Sequence, residues 1–175
     1  CFPKDTHALA ATGQKNSSPL LTVEAAIKTN ASQKVRMVDK LKRLMGGSFK
    51  GKTVAVLGLA FKPQTDDVRE AASIVIVSNL AESGATVQAY DPIAMDNFKN
   101  HFPNIQYFGS WQDAVKNADA CILLTEWNEF RGMDLNELKD LMKNPVLLDT
   151  KNIISIQELE SMGFTYDNVG RKSPS

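Results

Sequence analysis

The chain is poor in the residues that build metal and disulfide sites. Its 175 residues include only Cys1, Cys121, His7 and His101 of those types. Two cysteines and two histidines so scattered exclude a zinc site and a disulfide framework, and they fit a reducing cytoplasm better than secretion. No apolar run approaches the roughly 20 residues of a membrane helix. Charge of either sign is not in excess: 20 Lys and Arg balance 20 Asp and Glu, for a formal net charge of zero. No broad cationic field is therefore available to hold a nucleic-acid backbone. The six methionines are dispersed and suggest core filling rather than a soft-metal site. No internal repeat or signal-like start is present, and a first residue of cysteine rather than methionine reads as a piece of a longer polypeptide.

What is present is an α/β pattern. After Ser17-Ser18-Pro19, apolar residues recur at Val23, Ile27, Ala31, Val35, Val38, Leu41 and Met45, in steps of three and four that place them on one helical face. Gly46-Gly47 closes this helix, and Lys42 and Arg43 lie in its last turn, where cations suit the helix dipole. The spacing predicts one long helix from about Leu20 to Met45. From Gly51 onward the pattern changes. Thr53 to Leu57 is a continuous apolar run, as expected of a strand buried on both faces. A helix over Ala71 to Glu82 and a strand over Thr86 to Tyr90 follow. Further strands are predicted at Ala120 to Leu124 and Val146 to Asp149, with helices near Trp111 to Asn117 and Leu135 to Met142. Strand and helix alternate, which requires a parallel sheet with right-handed crossovers. The fold class is a Rossmann-like, doubly wound parallel sheet preceded by a long interdomain helix. The segments are 1–16, 17–47 and 48–175.

Ligands in such sheets sit beyond the carboxyl ends of the strands. The candidates are Gly58 to Asp67, Asp91-Pro92, Thr125 to Asn128 and Asp149 to Asn152. The segment after the first strand is not a G-x-G-x-x-G fingerprint, because Ala60 and Phe61 stand where glycine and close phosphate approach are needed. A dinucleotide is not expected there in the usual way. Phe61 could stack on a ring and Lys62 meet a charged or hydroxyl-rich group, or both could belong to a structural loop. Cys121 reads as a small buried hydrophobe. Trp127 and Phe130 read as packing against the sheet end. Asp66, Asp67 and Glu70 read as orienting their loop and capping the next helix.

Three separated motifs resemble the UDP-glucose 6-dehydrogenase family: Cys1-Phe2-Pro3-Lys4-Asp5; Gly58 to Pro63 with Thr65 to Glu70; and Leu124-Thr125-Glu126-Trp127. The resemblance covers essentially the whole chain and corresponds to the carboxyl-terminal part of such an enzyme. It implies oxidation of UDP-glucose to UDP-glucuronate in two steps with NAD as cofactor. Cys1 is implied as the nucleophile that carries a thiohemiacetal and then a thioester, which suits thiolate chemistry. Asp5, one turn on if the segment is helical, is implied to orient or activate water. Cys1, Phe2, Pro3 and Lys4 are implied to lie beside NAD, and Arg69 to reach its phosphates, a task suited to a guanidinium fork. Phe61, Lys62 and Lys151 are implied on the UDP-sugar side, with Lys151 standing where many members have arginine.

The resemblance further implies a partner NAD-binding domain before Cys1, a homodimer formed through the long helix, a cytoplasmic setting, and no membrane or nucleic-acid partner. A chain of these 175 residues alone is expected not to turn over. The alternatives are a related dehydrogenase for UDP-N-acetylmannosamine or GDP-mannose, or a non-catalytic nucleotide-binding or dimerisation module.

Overall fold

The computed structural model describes residues 2–171, and the chain divides into two compact units, Cys1–Arg36 and Met37–Ser175. In the first unit, α1 (Phe2–Lys15) is a helix with Asp5 in its first turn and Lys15 in its last, each charge placed as the helix dipole favours. The turn after it requires a small residue at Gly13, where a Cβ would come within 2.7 Å of the Ser18 carbonyl oxygen. Gln14 Nε2 then donates to Glu24 Oε1 at 3.1 Å, tying α1 to the start of α2 (Leu21–Leu44). The long helix is thus 24 residues. Its burial is less uniform than the periodicity suggests, since Val35 is 44% exposed.

In the second unit the remainder of α2 buries Met37, Val38 and Leu41. Lys40 fixes it to the sheet, its Nζ donating to Asp167 Oδ1 and to the Asn168 carbonyl, both at 2.7 Å. The strands are β1 (Thr53–Leu57), β2 (Thr86–Tyr90), β3 (Gln106–Tyr107), β4 (Ala120–Leu123), β5 (Val146–Asp149) and β6 (Thr165–Asn168). All pairings are parallel, in the order β3-β2-β1-β4-β5-β6. This is the doubly wound Rossmann-like sheet that the alternating pattern predicts. The central strands carry near-continuous apolar runs because helices cover both sheet faces. Val54 to Leu57 and Ala120 to Leu123 are all fully buried. Burying each large aliphatic among them stabilises the fold by about 1.5–3 kcal/mol.

The connecting helices are α3 (Ala72–Glu82), α4 (Met95–Lys99), α5 (Trp111–Val115), α6 (Asn128–Arg131), α7 (Leu135–Leu141) and α8 (Ile156–Ser161). Ser110, Asp134 and Ser155 cap α5, α7 and α8 by accepting backbone N–H bonds. The expected acidic cap on α3 is absent. Its N-cap is Ala71 with no side-chain cap bond, because Asp67 instead receives Arg69 and Asp66 receives Asn97 Nδ2 at 3.0 Å.

Candidate functional site

The chain order reverses between β1 and β4, so the crevice beyond their carboxyl ends is the topological switch point where open α/β sheets bind ligands. Asp91, at the end of β2, organises it. This carboxylate is fully buried. Its Oδ2 accepts the backbone N–H groups of Leu59 (2.7 Å) and Ala60 (3.1 Å) and the indole N–H of Trp127 (3.1 Å). Its Oδ1 accepts from the backbone N–H of Ile93 (2.9 Å) and of Ala94 (2.8 Å). One side chain therefore joins the loops after β1, β2 and β4. A buried carboxylate without a counter-ion is tolerable only when so fully hydrogen-bonded. Thr125 closes the same junction, its hydroxyl donating to the Ala60 carbonyl at 2.7 Å.

These bonds test a dinucleotide in the crevice, and it does not fit. The N–H groups of Leu59 and Ala60, which a pyrophosphate would need, are already taken by Asp91. Thr125 fills the space over Gly58, whose φ of +91° and lack of a Cβ permit that approach. Among the described residues no group of His, Cys, Asp and Glu could hold a metal ion.

A cleft of about 430 Å³ opens beside this junction, lined by Pro63, Gln64, Pro92, Glu126, Asn128 and Glu129, among others. Tyr90 donates its hydroxyl to the Glu129 carboxylate at about 3.0 Å. Burial first, and then the Glu129 bond, push the Tyr90 phenol up to about 12. On the β5 side, Asp149 shapes the loop by accepting the N–H groups of Lys151 (2.9 Å), Ile153 (2.7 Å) and Ile154 (2.9 Å). The Lys151 ammonium lies 3.2 Å from Glu126 Oε2, so this pair spans the loops after β4 and β5.

The residues singled out in the sequence fall into two groups. Phe61 is 40% exposed, with its N–H bonded to the Asp67 carbonyl at 2.8 Å. Lys62 is exposed beside Pro63 of the cleft wall, and its ammonium has no partner among the described residues. With Lys151 they belong to the sheet's carboxyl end. Arg69 lies on the same loop as Phe61, held by Asp67 through Nε (3.0 Å) and Nη2 (2.8 Å). The Arg69 bonds bring Asp67 down to about 2. Pro3, Lys4 and Asp5 lie on α1 in the first unit, with Lys4 and Asp5 exposed; Phe2 opens that helix. Cys1 lies outside the described residues. Cys121 is fully buried, and burial followed by the charge of Asp149 pushes its thiol up, so it stays a neutral core residue.

Glu126 falls within the strand-end segment Thr125 to Asn128 that the sequence marks, whereas Glu129 lies one residue past it; the signal that could have found Glu129 is the same position beyond the carboxyl end of β4.

Residues 55–156 match the UDP-glucose/GDP-mannose dehydrogenase family, UDP binding domain. The chain is 43% identical over 172 residues to UDP-glucose 6-dehydrogenase TuaD of Bacillus subtilis, covering 98% of this chain and 37% of that protein. It is 41% identical over 171 residues to UDP-glucose 6-dehydrogenase of Rhizobium meliloti, covering 98% and 39%. It thus spans well under half the length of these curated relatives, in their carboxyl-terminal part. A solved UDP-glucose dehydrogenase from Pyrobaculum islandicum superposes with a TM-score of 0.81 at 30% identity, over 90% of this chain and 35% of that one.

Proposed function

Because the chain belongs to the UDP-glucose/GDP-mannose dehydrogenase family, we propose that it forms the UDP-sugar-binding part of an enzyme that oxidises UDP-glucose to UDP-glucuronate. Segment 48–175 binds the nucleotide sugar, 17–47 is the central dimerisation helix, and 1–16 is the catalytic segment. The observation that carries the reading is Lys62, an exposed ammonium without a partner among the described residues and next in the chain to Pro63 of the cleft wall, a charge suited to a diphosphate. Phe61 packs on the ligand. Lys151 leaves Glu126 to meet it, as a point charge rather than a fork.

Cys1 is the nucleophile. Its thiolate adds to the aldehyde carbon of the half-oxidised sugar; loss of hydride leaves a thioester, and water oriented by Asp5 cleaves it to carboxylate and thiol. When bound, NAD would supply the hydride acceptor for both oxidations; Cys1, Phe2, Pro3, Lys4 and Arg69 would lie on its side, and a partner domain preceding this chain would hold it. The commitment of Leu59 and Ala60 to Asp91 supports that division of labour.

Two copies pair through the long helix, a reading supported by its apolar exposure at Leu21 (71%) and Val35 (44%). No helix among the described residues is long and apolar enough to cross a membrane, and the enzyme works in the cytoplasm. The experiment is a thermal-shift panel with UDP-glucose, UDP-N-acetylmannosamine and GDP-mannose on the enzyme joining this chain to its partner domain. A ligand at a hundred times its Kd stabilises by about 2.7 kcal/mol. The largest shift is expected with UDP-glucose; a larger shift with either other sugar would reassign the substrate.

A further inference from the structure

The loop between β1 and α3 carries Phe61, assigned above to the sugar, and Arg69, assigned to the cofactor. Asp67 touches both. Its backbone carbonyl accepts the Phe61 N–H at 2.8 Å. Its carboxylate accepts three bonds from Arg69: the backbone N–H (2.9 Å) and Nε (3.0 Å) at Oδ1, and Nη2 (2.8 Å) at Oδ2. Asp67 is itself held, because its N–H donates to Thr65 Oγ1 at 3.1 Å. The neighbouring Asp66 is tied to α4 by Asn97 Nδ2, which reaches both its carbonyl and its carboxylate at 3.0 Å.

We propose that Asp67 is a positioning residue for cofactor binding: it grips one edge of the Arg69 guanidinium and presents the other edge, Nη1 and the second Nη2 hydrogen, to a phosphate. The Arg69 side chain is 85% exposed, and among the described residues Asp67 is its one polar partner. A free arginine of that exposure would lose up to about 2 kcal/mol of rotamer freedom on binding an anion. Asp67 removes much of that loss beforehand. A guanidinium has five N–H donors, so the two given to the carboxylate leave three for the ligand. An exposed pair of this kind contributes little to folding, so its geometry is available for function. The shared residue also joins the two halves of the loop, since a shift of Phe61 is passed through the Asp67 backbone to the arginine.

The proposal rests on the assignment of Arg69 to NAD, and the variants separate the two. In the enzyme joining this chain to its partner domain, Asp67→Asn is expected to raise KM for NAD about tenfold while KM for UDP-glucose stays within about twofold, a difference of ~1.4 kcal/mol. The Phe61 bond survives this change because it uses the backbone. Asp67→Glu recovers part of the loss. Arg69→Ala raises KM for NAD at least as much, and the double variant is no worse than Arg69→Ala alone. Thermal unfolding of Asp67→Asn stays at the wild-type temperature, which removes misfolding as a cause. Equal rises in both KM values, an unaltered KM for NAD in Asp67→Asn, or losses that multiply in the double variant overturn the positioning role. An Arg69→Ala enzyme with wild-type KM for NAD overturns the cofactor assignment, and the positioning role with it.

Discussion

A Cβ placed on Gly58 would stand 2.6 Å from both the backbone nitrogen and the Cβ of Thr125. The end of β1 and the first residues after β4 are packed closer than any side chain allows, at the point where the strand order reverses. Gly58→Ala therefore adds a clash with backbone to the strain of a φ of +91°. The expected loss of stability is on the order of 2–4 kcal/mol, read by urea unfolding. A loss below about 1 kcal/mol would show that the junction yields.

Asp91 predicts a graded pair of variants. Asp91→Ala leaves five donors without their acceptor, among them the N–H groups of Leu59 and Ala60 and the Trp127 indole. Each of the buried ones costs about 1–3 kcal/mol, while the N–H of Ile93, a residue 52% exposed, is open to water. Even with water reaching some of them, roughly 4 kcal/mol is expected from denaturant unfolding. Asp91→Asn, which keeps one acceptor oxygen, loses about half as much. Equal stability in Asp91→Ala and the parent chain would deny Asp91 its role at the junction.

The tyrosines give a pH signature. Burial, aided by Glu129, raises Tyr90 to about 12, and burial raises Tyr107 to about 12. For both, the folded state keeps its proton longer than the unfolded chain. Their stabilisation is complete below the ordinary value of 10.0 and is lost as pH rises from there toward about 12. Ultraviolet titration at the phenolate band should show absorbance delayed in the folded protein and normal in denaturant. Phenolate formation by both residues at pH 10 in the folded state would contradict the burial described.

Cys1→Ser tests the covalent step. In the enzyme carrying its NAD-binding domain, the variant should bind UDP-glucose as the parent does while UDP-glucuronate formation falls by at least about a thousandfold, a barrier increase of ~4 kcal/mol. Mass spectrometry should find no thioester adduct. Turnover at the parent rate would remove Cys1 from the chemistry.

The central strands were legible because β1 and β4, covered on both faces, read as unbroken apolar runs, and β2 and β5 as short β-prone runs with an aspartate at or just past their ends. The bounds of β1, β2 and β5 follow directly from Thr53-Val54-Ala55-Val56-Leu57, Thr86 to Tyr90 and Val146 to Asp149. The edge strands were not legible. β3 has two residues, Gln106 and Tyr107, and β6 is Thr-Tyr-Asp-Asn, with an exposed first residue and its inward positions taken by Tyr166 and Asn168. Such segments become strands through a neighbour's backbone rather than their own hydrophobicity. At the site, the strand ends were marked by turn residues, so Gly58 and Asp91 stood out. That Asp91 turns inward to occupy the N–H groups of the first loop depends on tertiary contacts 31 and 32 residues away in the chain, which no local pattern encodes. Arg69 was visible as a cation in a motif, but its clamp by Asp67 is a matter of loop geometry.

The most direct measurement is the Kd for UDP, by calorimetry, of the enzyme joining this chain to its partner domain, as wild type and as Lys62→Ala. Lys62 is exposed and unpaired among the described residues, so its removal should leave folding intact. UDP binding is expected to weaken at least tenfold in Lys62→Ala, by ~1.4 kcal/mol, at an unchanged unfolding temperature. An unchanged Kd would contradict the role of Lys62, and with it the placement of the nucleotide sugar at the switch-point cleft.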